Sequence, residues 1–569
     1  MTLSKLARRC SFAQCFALAA WALLILFRPT PWLHAQSPSA VSHQPLAHWK
    51  LEGDFLDTSG NQNHGKNHDV SFTTIEGQTA ARFDGRSSWI EVMSSPSLQI
   101  GTNDFSITAW VRLPDEIEQD DVYGDILSQF DPRTRRGFNL RITHNAGVTT
   151  SQANSRNVHF GVDNGQLEAG WTDHGRPGNA VLVFGLATHN GRLYAGTCEP
   201  GKAEAGRVFQ FAGDTNWLDC GSPGRCNSVS ALAEWEGALY AGSSRYRLAG
   251  SSLPESENPH PGGKVYRYLG GQSWADCGQL PGVEAVGGLV VYRGQLYASS
   301  LYQPAGFFRY EGGERWTSLP VPGGKRVEAM CVYDGQLFAS SYDAGHVYRY
   351  DGTAWRDCGQ VGPAENTQTY SFAIYEGSLH VGTWRTGRVY RYRADHDWED
   401  RGRLGEELEV MGMMVHNGKL YAGSLPLAEV YRFDGGEAWT RLGCVDATPK
   451  VKYRRAWTMA EFQGRLFCGT LPSGRVLSIE AGRNVSCDRA LTPGWHHVAV
   501  VRQGDRLQLH MDGRLVAVSA RLEPAAYDLT SGQPLKLGFG PNDYFRGLLR
   551  DVRLYGHALT AEEISELAH

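Results

Sequence analysis

Aromatic and arginine side chains that could bind a ligand follow a phrase that the sequence repeats. The phrase is HNGRLYAGT at its first occurrence, and the residues directly after its copies vary while the phrase itself changes little. Aromatic faces stack on sugar rings or apolar side chains, and the arginine fork binds carboxylates through paired hydrogen bonds. We therefore predict a ligand-binding site, with an ordinary solvated rim as the alternative, at Tyr246, Tyr302, Tyr342, Trp384, Arg385 and Arg454.

Catalytic groups are harder to find in this sequence. Glycosidases need two positioned carboxyl groups, and the acidic run EIEQDD at residues 116–121 falls in a predicted loop without such spacing. Cysteine and histidine do not take the spacing of a zinc site. The formal net charge is −5 and no basic tract follows the N-terminus, so nucleic-acid binding has no electrostatic support. The sequence leaves enzymatic activity open and favours binding.

A repeat positions the predicted binding residues. Its hairpin glycines recur at spacings of 41 to 57 residues, and they are Gly191, Gly237, Gly294, Gly335, Gly377, Gly418 and Gly464. Periods near 40 to 50 residues with strand-like content are typical of β-propellers. Each unit predicts four strands: an apolar strand before the glycine, the phrase, a strand such as GKVYRY, and a strand with a tryptophan. The glycine and its polar neighbour predict a tight hairpin turn.

The tryptophans of the fourth strands are out of phase with the phrases. They are Trp171, Trp217, Trp274, Trp316, Trp355, Trp398 and Trp439. Trp171 precedes the first phrase, whereas GRVLSIEAG at residues 474–482 is a third strand with no fourth strand after it. Joining these two ends completes one unit and closes a ring without exposed sheet edges. We predict a seven-bladed propeller over residues 167–482, with the strand at Trp171 paired to residues 475–479 and the tryptophans packed between blades.

The repeat resembles the kelch and galactose-oxidase-like propellers in its general form, although the paired glycines of kelch units appear here mostly as AGS, AGT or ASS. The flanks carry other marks, namely DTSGNQNHG, WHHVAVV, MDG and the ending ALTAEEI. Their succession resembles the laminin-G-like, concanavalin-A-like jelly-roll domains. The resemblance implies an all-β protein in which the seven-bladed β-propeller is inserted into a jelly-roll β-sandwich formed jointly by residues 47–166 and 483–569. Insertion succeeds where entry and exit points are close and exposed.

The jelly-roll resemblance also implies structural calcium. The DTSGNQN turn offers side-chain oxygens from Asp57, Ser59, Asn61 and Asn63, and RDVRLY adds Asp551. Hard oxygen ligands of this kind suit calcium. A turn of the Asx type, held by hydrogen bonds alone, is the alternative.

The N-terminus has the pattern of an export signal. Basic residues precede an apolar run over residues 12–27, and the small-residue site LHA follows. We predict a signal peptide over residues 1–35 and a flexible linker over residues 36–46, with an uncleaved membrane anchor as the alternative. We expect the cysteines beyond the signal to be buried free thiols, with Cys220 and Cys226 as the one local disulfide to test.

These features favour a secreted or cell-surface recognition protein. It would bind a glycan or an extracellular protein partner through the jelly roll and the loop face of the propeller. A carbohydrate-active enzyme, a hydrolase or lyase with the propeller as catalytic domain, is the second hypothesis, and a structural envelope component is the third. The sequence indicates no cofactor beyond calcium, and contact with a membrane would require an uncleaved N-terminal segment.

Overall fold

The computed structural model of the protein describes residues 44–114, 123–166 and 170–569. The predicted signal peptide, most of the predicted linker and the acidic run at residues 116–121 lie outside these ranges. Regular structure in the described ranges is almost entirely β-strand. No helix within them is long and apolar enough to cross a bilayer.

The strands fall into three groups along the chain. The first group is β1 (Ala47–Trp49), β2 (Gly65–His68), β3 (Ser71–Ile75), β4 (Gln78–Asp84), β5 (Trp89–Val92), β6 (Phe105–Leu113), β7 (Asp125–Asp131), β8 (Arg136–Asn145) and β9 (Asn154–Asn164). The second group is β10 (Thr172–Asp173), β11 (Leu182–His189), β12 (Arg192–Cys198), β13 (Val208–Phe211), β14 (Trp217–Asp219), β15 (Ser228–Trp235), β16 (Ala238–Ser244), β17 (Lys264–Gly270), β18 (Ser273–Gln279), β19 (Val286–Tyr292), β20 (Gln295–Ser300), β21 (Phe307–Tyr310), β22 (Trp316–Leu319), β23 (Met330–Tyr333), β24 (Gln336–Ser340), β25 (His346–Tyr350), β26 (Trp355–Gln360), β27 (Gln368–Tyr375), β28 (Ser378–Trp384), β29 (Arg388–Ala394), β30 (Asp397–Arg403), β31 (Glu409–His416), β32 (Lys419–Leu425), β33 (Glu429–Gly435), β34 (Ala438–Cys444), β35 (Arg455–Phe462), β36 (Arg465–Leu471) and β37 (Val476–Ile479). The third group is β38 (Arg483–Cys487), β39 (Gly494–Gln503), β40 (Arg506–Met511), β41 (Arg514–Val518), β42 (Leu535–Leu537) and β43 (Arg546–Tyr555), followed by the helix α1 (Ala561–Leu567). Short 3-10 helices span Pro96–Leu98, Leu248–Ser251, Pro322–Gly324 and Pro524–Ala526.

The first and third groups form two antiparallel sheets, and each sheet takes strands from both. One sheet has the order β3-β4-β43-β6-β39-β40-β41 with β1 beside β43, and the other has the order β2-β5-β42-β7-β8-β9-β38. Phe105 of the first sheet packs 5.5 Å from Phe138 of the second, and both rings are fully buried. Val162 of β9 pairs with Arg483 of β38. The chain therefore leaves the sandwich and returns to it on neighbouring strands.

The ending ALTAEEI, one of the marks of the jelly-roll resemblance, forms the start of α1. Thr560 caps the helix by accepting a hydrogen bond from the backbone N–H of Glu563, and the Glu563 side chain accepts one from the Thr560 backbone. This reciprocal capping box satisfies two N–H groups that the first turn of a helix leaves without a partner.

The second group of strands pairs in seven antiparallel sets of four within the described ranges. Six sets are consecutive in the chain, from β11–β14 to β31–β34, and the seventh combines β35–β37 with β10. In that seventh set Thr172 pairs with Ser478 and Asp173 with Leu477. The strand that follows Trp171 therefore pairs with the last strand of the repeat, as predicted.

Tryptophan hydrogen bonds link each set to the preceding one. The indole N–H of Trp217 donates to the carbonyl of His174 at 2.8 Å, and that of Trp171 donates to Leu442 at 3.3 Å. The same bond joins Trp274 to Cys220, Trp316 to Cys277, Trp355 to Pro320, Trp398 to Cys358 and Trp439 to Arg401. Because Trp171 reaches the sixth set and Trp217 reaches the seventh, the succession of sets closes on itself.

Every cysteine in the described ranges is a free thiol, and all except Cys444 and Cys487 are buried. Cys220 and Cys226 are not joined by a disulfide. Burial raises the pKa of the Cys220 and Cys277 thiols. Because the thiolate is the reactive form, these thiols serve packing rather than nucleophilic chemistry.

The hairpin between β8 and β9 extends from the sandwich into the space that the first strands of the sets enclose. We call its tip, residues 146–153, the plug; all of its side chains are buried. Backbone bonds tie it to the first strands of four sets, through Thr188 N to Ala153 O, Gln152 N to Leu232 O, Leu289 N to Thr150 O and Phe372 N to Gly147 O. The sequence did not predict that the tip of the β8–β9 hairpin enters the repeat.

A buried ion pair joins the sandwich to the repeat beside the plug. Arg141 of β8 donates to Glu461 of β35 at 2.5 Å, and Glu461 also contacts His416 of β31 at 2.7 Å. The side chains of all three are about 1% exposed. Burial alone would raise the pKa of the Glu461 carboxyl, yet Arg141, His159 and His416 hold it below its usual range.

Replacing Glu461 by alanine should lower the free energy of unfolding by about 3 to 5 kcal/mol, because Arg141 would keep its charge in a buried site without a partner. Chemical denaturation measures the change. Glu406→Ala is the control, because that side chain is 91% exposed and such substitutions usually change stability by less than about 0.5 kcal/mol. Equal unfolding midpoints for the two variants would contradict a supporting role for the buried pair.

Gly147→Val tests the fit of the plug. Gly147 has a φ of 75°, and an added Cβ would lie 3.1 Å from the Cβ of Cys331 and 3.2 Å from that of Phe372. Gly77 has a φ of 78° with no atom within 4 Å of the same position. Both substitutions therefore strain the backbone, but only Gly147→Val also overpacks, which should cost about 1 to 3 kcal/mol more. A similar loss of unfolding free energy in both variants would show that the plug is loosely held.

Candidate ligand-binding site at the mouth of the repeat

The hairpin turns that follow the first strands face the sandwich. The backbone N–H of Gly377 donates to the carbonyl of Asn542 at 3.1 Å, and that of Gly464 donates to the hydroxyl of Ser486 at 3.1 Å. The first strands begin, and the second strands end, at the opposite end of the sets. We call this opposite end the mouth. The predicted binding residues belong to it because they follow second strands or enter a first strand.

Four of the six predicted binding residues meet in one hydrophobic cluster at the mouth: Tyr246, Tyr302, Tyr342 and Trp384. The ring of Tyr246 is 4.8 Å from Phe184, that of Tyr342 is 4.9 Å from Tyr370, and that of Trp384 is 6.3 Å from Tyr453. Tyr246 is buried, whereas Tyr302, Tyr342 and Trp384 are partly exposed. The rings that remain accessible are therefore the last three.

Arg385 and Arg454 lie beside this cluster. Arg385 directly follows Trp384 and is exposed. Arg454 is partly buried; its backbone N–H donates to the carbonyl of Pro426 at 3.0 Å. Its Nε atom has no hydrogen-bond partner among the described residues. Both arginines keep donor groups for a ligand.

Cationic groups lie close to the aromatic rings of the mouth. Arg247 is 4.4 Å from the ring centre of Tyr302, Arg326 is 5.3 Å from Tyr342, Lys452 is 4.8 Å from Tyr453, and Arg455 is 5.4 Å from Trp457. Distances below about 6 Å allow cation–π attraction. Arg326 also pairs with Asp343 at 2.9 Å.

Two buried glutamates of the mouth were missed by sequence reasoning. Glu328 and Glu409 are 3% and 2% exposed, and the hydroxyl of Tyr342 donates to Glu328. Burial raises the pKa of Glu328 well above its ordinary value. Burial also raises the pKa of Glu409, to about 7, against the opposing effects of Arg455 and Tyr370. One oxygen of each carboxyl group has no hydrogen-bond partner in the described ranges.

Counting back from the hairpin glycines could have identified these glutamates. Glu328 stands seven residues before its hairpin glycine, where the first copy of the repeat has Phe184. Glu409 stands nine residues before its glycine, where the first copy has Leu182 and the last has Arg455. Strand residues two apart share one face, so these positions all face the enclosed space.

The long loop after β16 covers one side of the mouth. Leu248 and Ser251 in its 3-10 helix are buried. The hydroxyl of Ser251 lies 2.8 Å from that of Tyr246 and accepts a hydrogen bond from Arg455 at 2.7 Å. The loop therefore fixes Arg455 at the wall of the mouth.

The residues of the expected calcium site do not fit a cation. The carboxylate of Asp57 accepts hydrogen bonds from the backbone N–H groups of His48, Ser59 and Asn63 and from the Ser59 hydroxyl. Despite the opposing effect of burial, these bonds lower the pKa of Asp57. Asp551 is held instead by His48 at 2.7 Å and by Arg553. The arrangement is that of the hydrogen-bonded turn, and no group of three or more acidic, histidine or cysteine side chains in the described ranges could hold a metal. Calcium binding stays a prediction that this geometry does not favour.

One part of the chain matches a known superfamily. The sequence profile of the concanavalin A-like lectin/glucanases superfamily matches residues 438–565. This stretch contains the third group of strands and also β34–β37 of the repeat. No curated protein has a sequence that matches the chain.

Solved structures with a similar fold have low sequence identity. Virginiamycin B lyase from Staphylococcus aureus is 8% identical, with a TM-score of 0.43 over 55% of this chain and 98% of that one. The WD40 beta propeller domain of Doa1 is 11% identical, with a TM-score of 0.38 over 55% and 97%. The extracellular domain of the one component system BT4673 from B. thetaiotaomicron is 12% identical, with a TM-score of 0.40 over 63% and 53%. The chain is an all-β protein with a concanavalin A-like part, and β-propellers are among its structural neighbours.

Calcium should leave the thermal unfolding midpoint of the protein unchanged, because the oxygens of Asp57 already accept N–H and O–H groups. The measurement is thermal denaturation with millimolar calcium and with EDTA. An ion that binds only the folded protein raises its stability by mass action. A calcium-dependent rise in the midpoint that Asp57→Ala abolishes would instead establish the site.

Proposed function

We propose that this chain is an extracellular recognition protein that binds a glycan or an extracellular protein partner at the mouth. In this proposal the seven sets are the blades of a kelch-like β-propeller over residues 167–482. The propeller is inserted into a laminin-G-like sandwich built from residues 47–166 and 483–569. Residues 1–35 direct export, and residues 36–46 link the signal to the sandwich.

The contrast between the two ends of the repeat is the observation that carries this proposal. At the hairpin end the plug fills part of the space that the first strands enclose, and the sandwich contacts some of the turns, as Asn542 contacts Gly377. The mouth presents partly exposed rings, Tyr302 and Trp384 among them, beside the exposed guanidinium of Arg385. Aromatic and arginine side chains around a cleft are the usual anchors of recognition sites.

In this proposal the sandwich supports the propeller and does not bind the ligand of the mouth. Its β8 and β9 strands face the repeat, where the side chain of Asn139 donates to Asn417 at 3.1 Å. Arg141 and His159 on the same face are about 1% to 2% exposed. A ligand of the sandwich would have to use another part of its surface.

A carbohydrate-active enzyme is the second candidate, and the pair of buried glutamates favours it. Glu409, with its pKa raised to about 7, could exchange a proton near neutral pH. Glu328 faces the same space and is held by Tyr342. A hydrolase and lyase screen with the wild type and Glu409→Gln tests this candidate, because turnover that the variant loses would favour an enzyme.

Trp384→Ala should weaken binding at least about tenfold, since a partly exposed aromatic anchor is lost. A glycan array and a panel of purified extracellular proteins would first identify a ligand, and titration would then compare affinities. Leu269→Ala is the control, because Leu269 is 58% exposed near the hairpin end of its set. If Trp384→Ala binds each identified ligand as tightly as the wild type does, the mouth is not the binding site.

A further inference from the structure

We propose that the ligand of the mouth is an acidic glycan, whose carboxylates contact the cationic rim and whose hydroxyl groups bond to buried polar atoms beneath it. This inference rests on the proposed function and adds the chemical class of the ligand. Three features of the mouth carry it, namely its unpaired rim charge, its unsatisfied buried atoms and its accessible rings.

The rim of the mouth carries positive charge that its own acidic residues do not neutralise. Its cationic side chains without an ion-pair partner in the described ranges are Arg245, Arg247, Lys325, Arg385, Lys452 and Arg454. Asp343 is already paired with Arg326 at 2.9 Å, Glu257 with Lys202 at 3.7 Å and Glu406 with Arg403 at 3.8 Å. The other exposed acids of the adjoining loops are Glu255, Glu284 and Glu365, fewer than the unpaired cations. An excess of unpaired cations attracts anionic ligands.

Arginines elsewhere in the repeat are often already paired. Arg349 forms an ion pair with Asp395 at 2.6 Å, and Arg391 forms one with Glu399 at 2.8 Å. These two arginines lie inside third strands, away from the mouth. The arginines of the rim are the ones that keep their donors for a carboxylate, which the arginine fork binds in pairs of hydrogen bonds.

Below the rim, buried side chains have polar atoms without a hydrogen-bond partner in the described ranges. Four of these atoms are Nε of Arg455, Nε1 of Trp457, Oε2 of Glu328 and Oε1 of Glu409, and their residues are 7%, 3%, 3% and 2% exposed. Oε1 of the fully buried Glu407, which lies near Arg454, is another. Leaving such an atom without a partner is unfavourable. The arginine and the tryptophan are donors, and the glutamates carry carboxyl oxygens. A sugar hydroxyl both donates and accepts, whereas a carboxylate only accepts.

The accessible rings favour a sugar chain over an acidic peptide. Tyr302 and Trp384 are partly exposed, and aromatic faces of this kind stack on sugar rings. A sugar acid can therefore use all three features together: its ring on an aromatic face, its carboxylate on the rim, and its hydroxyls on the buried atoms.

Glu409 makes this binding sensitive to pH. It is faced by Arg455 from β35, by Tyr370 from β27 and by Glu328 from the segment before β23. Burial raises the pKa of Glu409 to about 7, so its carboxyl is largely neutral below that pH and negative above it. A negative Glu409 repels an anionic ligand. The affinity for an acidic glycan should therefore fall as the pH rises through about 7.

The test is calorimetric titration of the full chain at about pH 6 with uronic-acid oligosaccharides. Galacturonate, glucuronate and mannuronate oligomers are each paired with their methyl esters, which remove the charge and keep the ring, and polyglutamate serves as the peptide probe. At least one acid form should bind at least about tenfold more tightly than its ester and than polyglutamate, since one charged contact is commonly worth a factor of ten.

Three variants locate the contacts. Arg385→Ala should weaken binding of the acid form about tenfold, because it removes an exposed guanidinium of the rim. Arg356→Ala should bind as the wild type does, because Arg356 is an equally exposed arginine on the outer strand β26. Glu409→Gln should still bind but should show a smaller fall in affinity between about pH 6 and pH 8; part of the fall should remain, because burial also raises the pKa of Glu407, beside Arg454, to about 7.

The outcomes separate this inference from the function on which it rests. Equal affinity for acid and ester, or tighter binding of polyglutamate, overturns the acidic glycan. So does a failure of every acid form to bind, although a neutral glycan or protein ligand lost in Trp384→Ala would still support recognition at the mouth. Tight binding of an acid form that Arg385→Ala leaves unchanged overturns the placement of its carboxylate on the rim.

Discussion

The backbone hydrogen bonds of the plug fix the sandwich against the repeat. Residues 146–153 extend from the sandwich and form backbone hydrogen bonds with the first strands of several sets. The enclosed space is thereby filled at one end by the protein's own chain. The ion pair of Arg141 with Glu461 lies on the same hairpin and places a charge from each part in one buried site. Because a buried charge is costly without its partner, the sandwich and the repeat hold each other in a single arrangement.

This arrangement determines which surface is free for function. Some glycine turns of the repeat, such as those at Gly377 and Gly464, contact the sandwich, and the variable ends of the second strands lie at the mouth. The mouth can then tolerate features that would be unfavourable elsewhere, such as carboxyl groups with an unbonded oxygen on Glu328 and Glu409. Burial raises the pKa of both carboxyl groups. Structural frameworks often concentrate such groups where a ligand binds.

The seven tryptophans of the repeat both pack against neighbouring strands and connect one set to the next. Their rings pack between neighbouring sets, and each indole N–H bonds to a carbonyl of the set before, as Trp217 does to His174. A buried indole needs such a partner, so each ring fixes the spacing of two sets. The bond from Trp171 to Leu442 closes the series without any contribution from the sandwich. The bonds that link the sets to one another are therefore internal to the repeat, and the plug adds contacts between the repeat and the sandwich.

The strands, the phase of the repeat and the end of the sets where the predicted binding residues lie follow from the sequence alone. These depend on local physics: alternation along a strand, glycine in a turn, and a tryptophan once in each unit. The sequence predicted the pairing of Thr172 with Ser478 because an incomplete first unit and an incomplete last unit leave one solution. It also predicted that Tyr302 and Trp384 lie close together, as they do in one cluster, because equivalent positions of a repeat lie at the same end.

The plug, the raised pKa of the buried glutamates and the hydrogen bonds of the expected calcium ligands became visible only in the tertiary structure. The plug residues have no repeat pattern, and their partners, such as Leu232 and Phe372, are distant in the chain. A glutamate in a strand is expected to be exposed, and only the packing of neighbouring strands shows that it is buried. The raised pKa of its carboxyl group follows from that burial. The oxygens of Asp57 look available in sequence, but backbone N–H groups already occupy them. The burial of the plug and of the glutamates arises from contacts between distant segments, which the sequence does not specify, whereas the bonds of Asp57 are local and match the Asx turn that the sequence offered as the alternative.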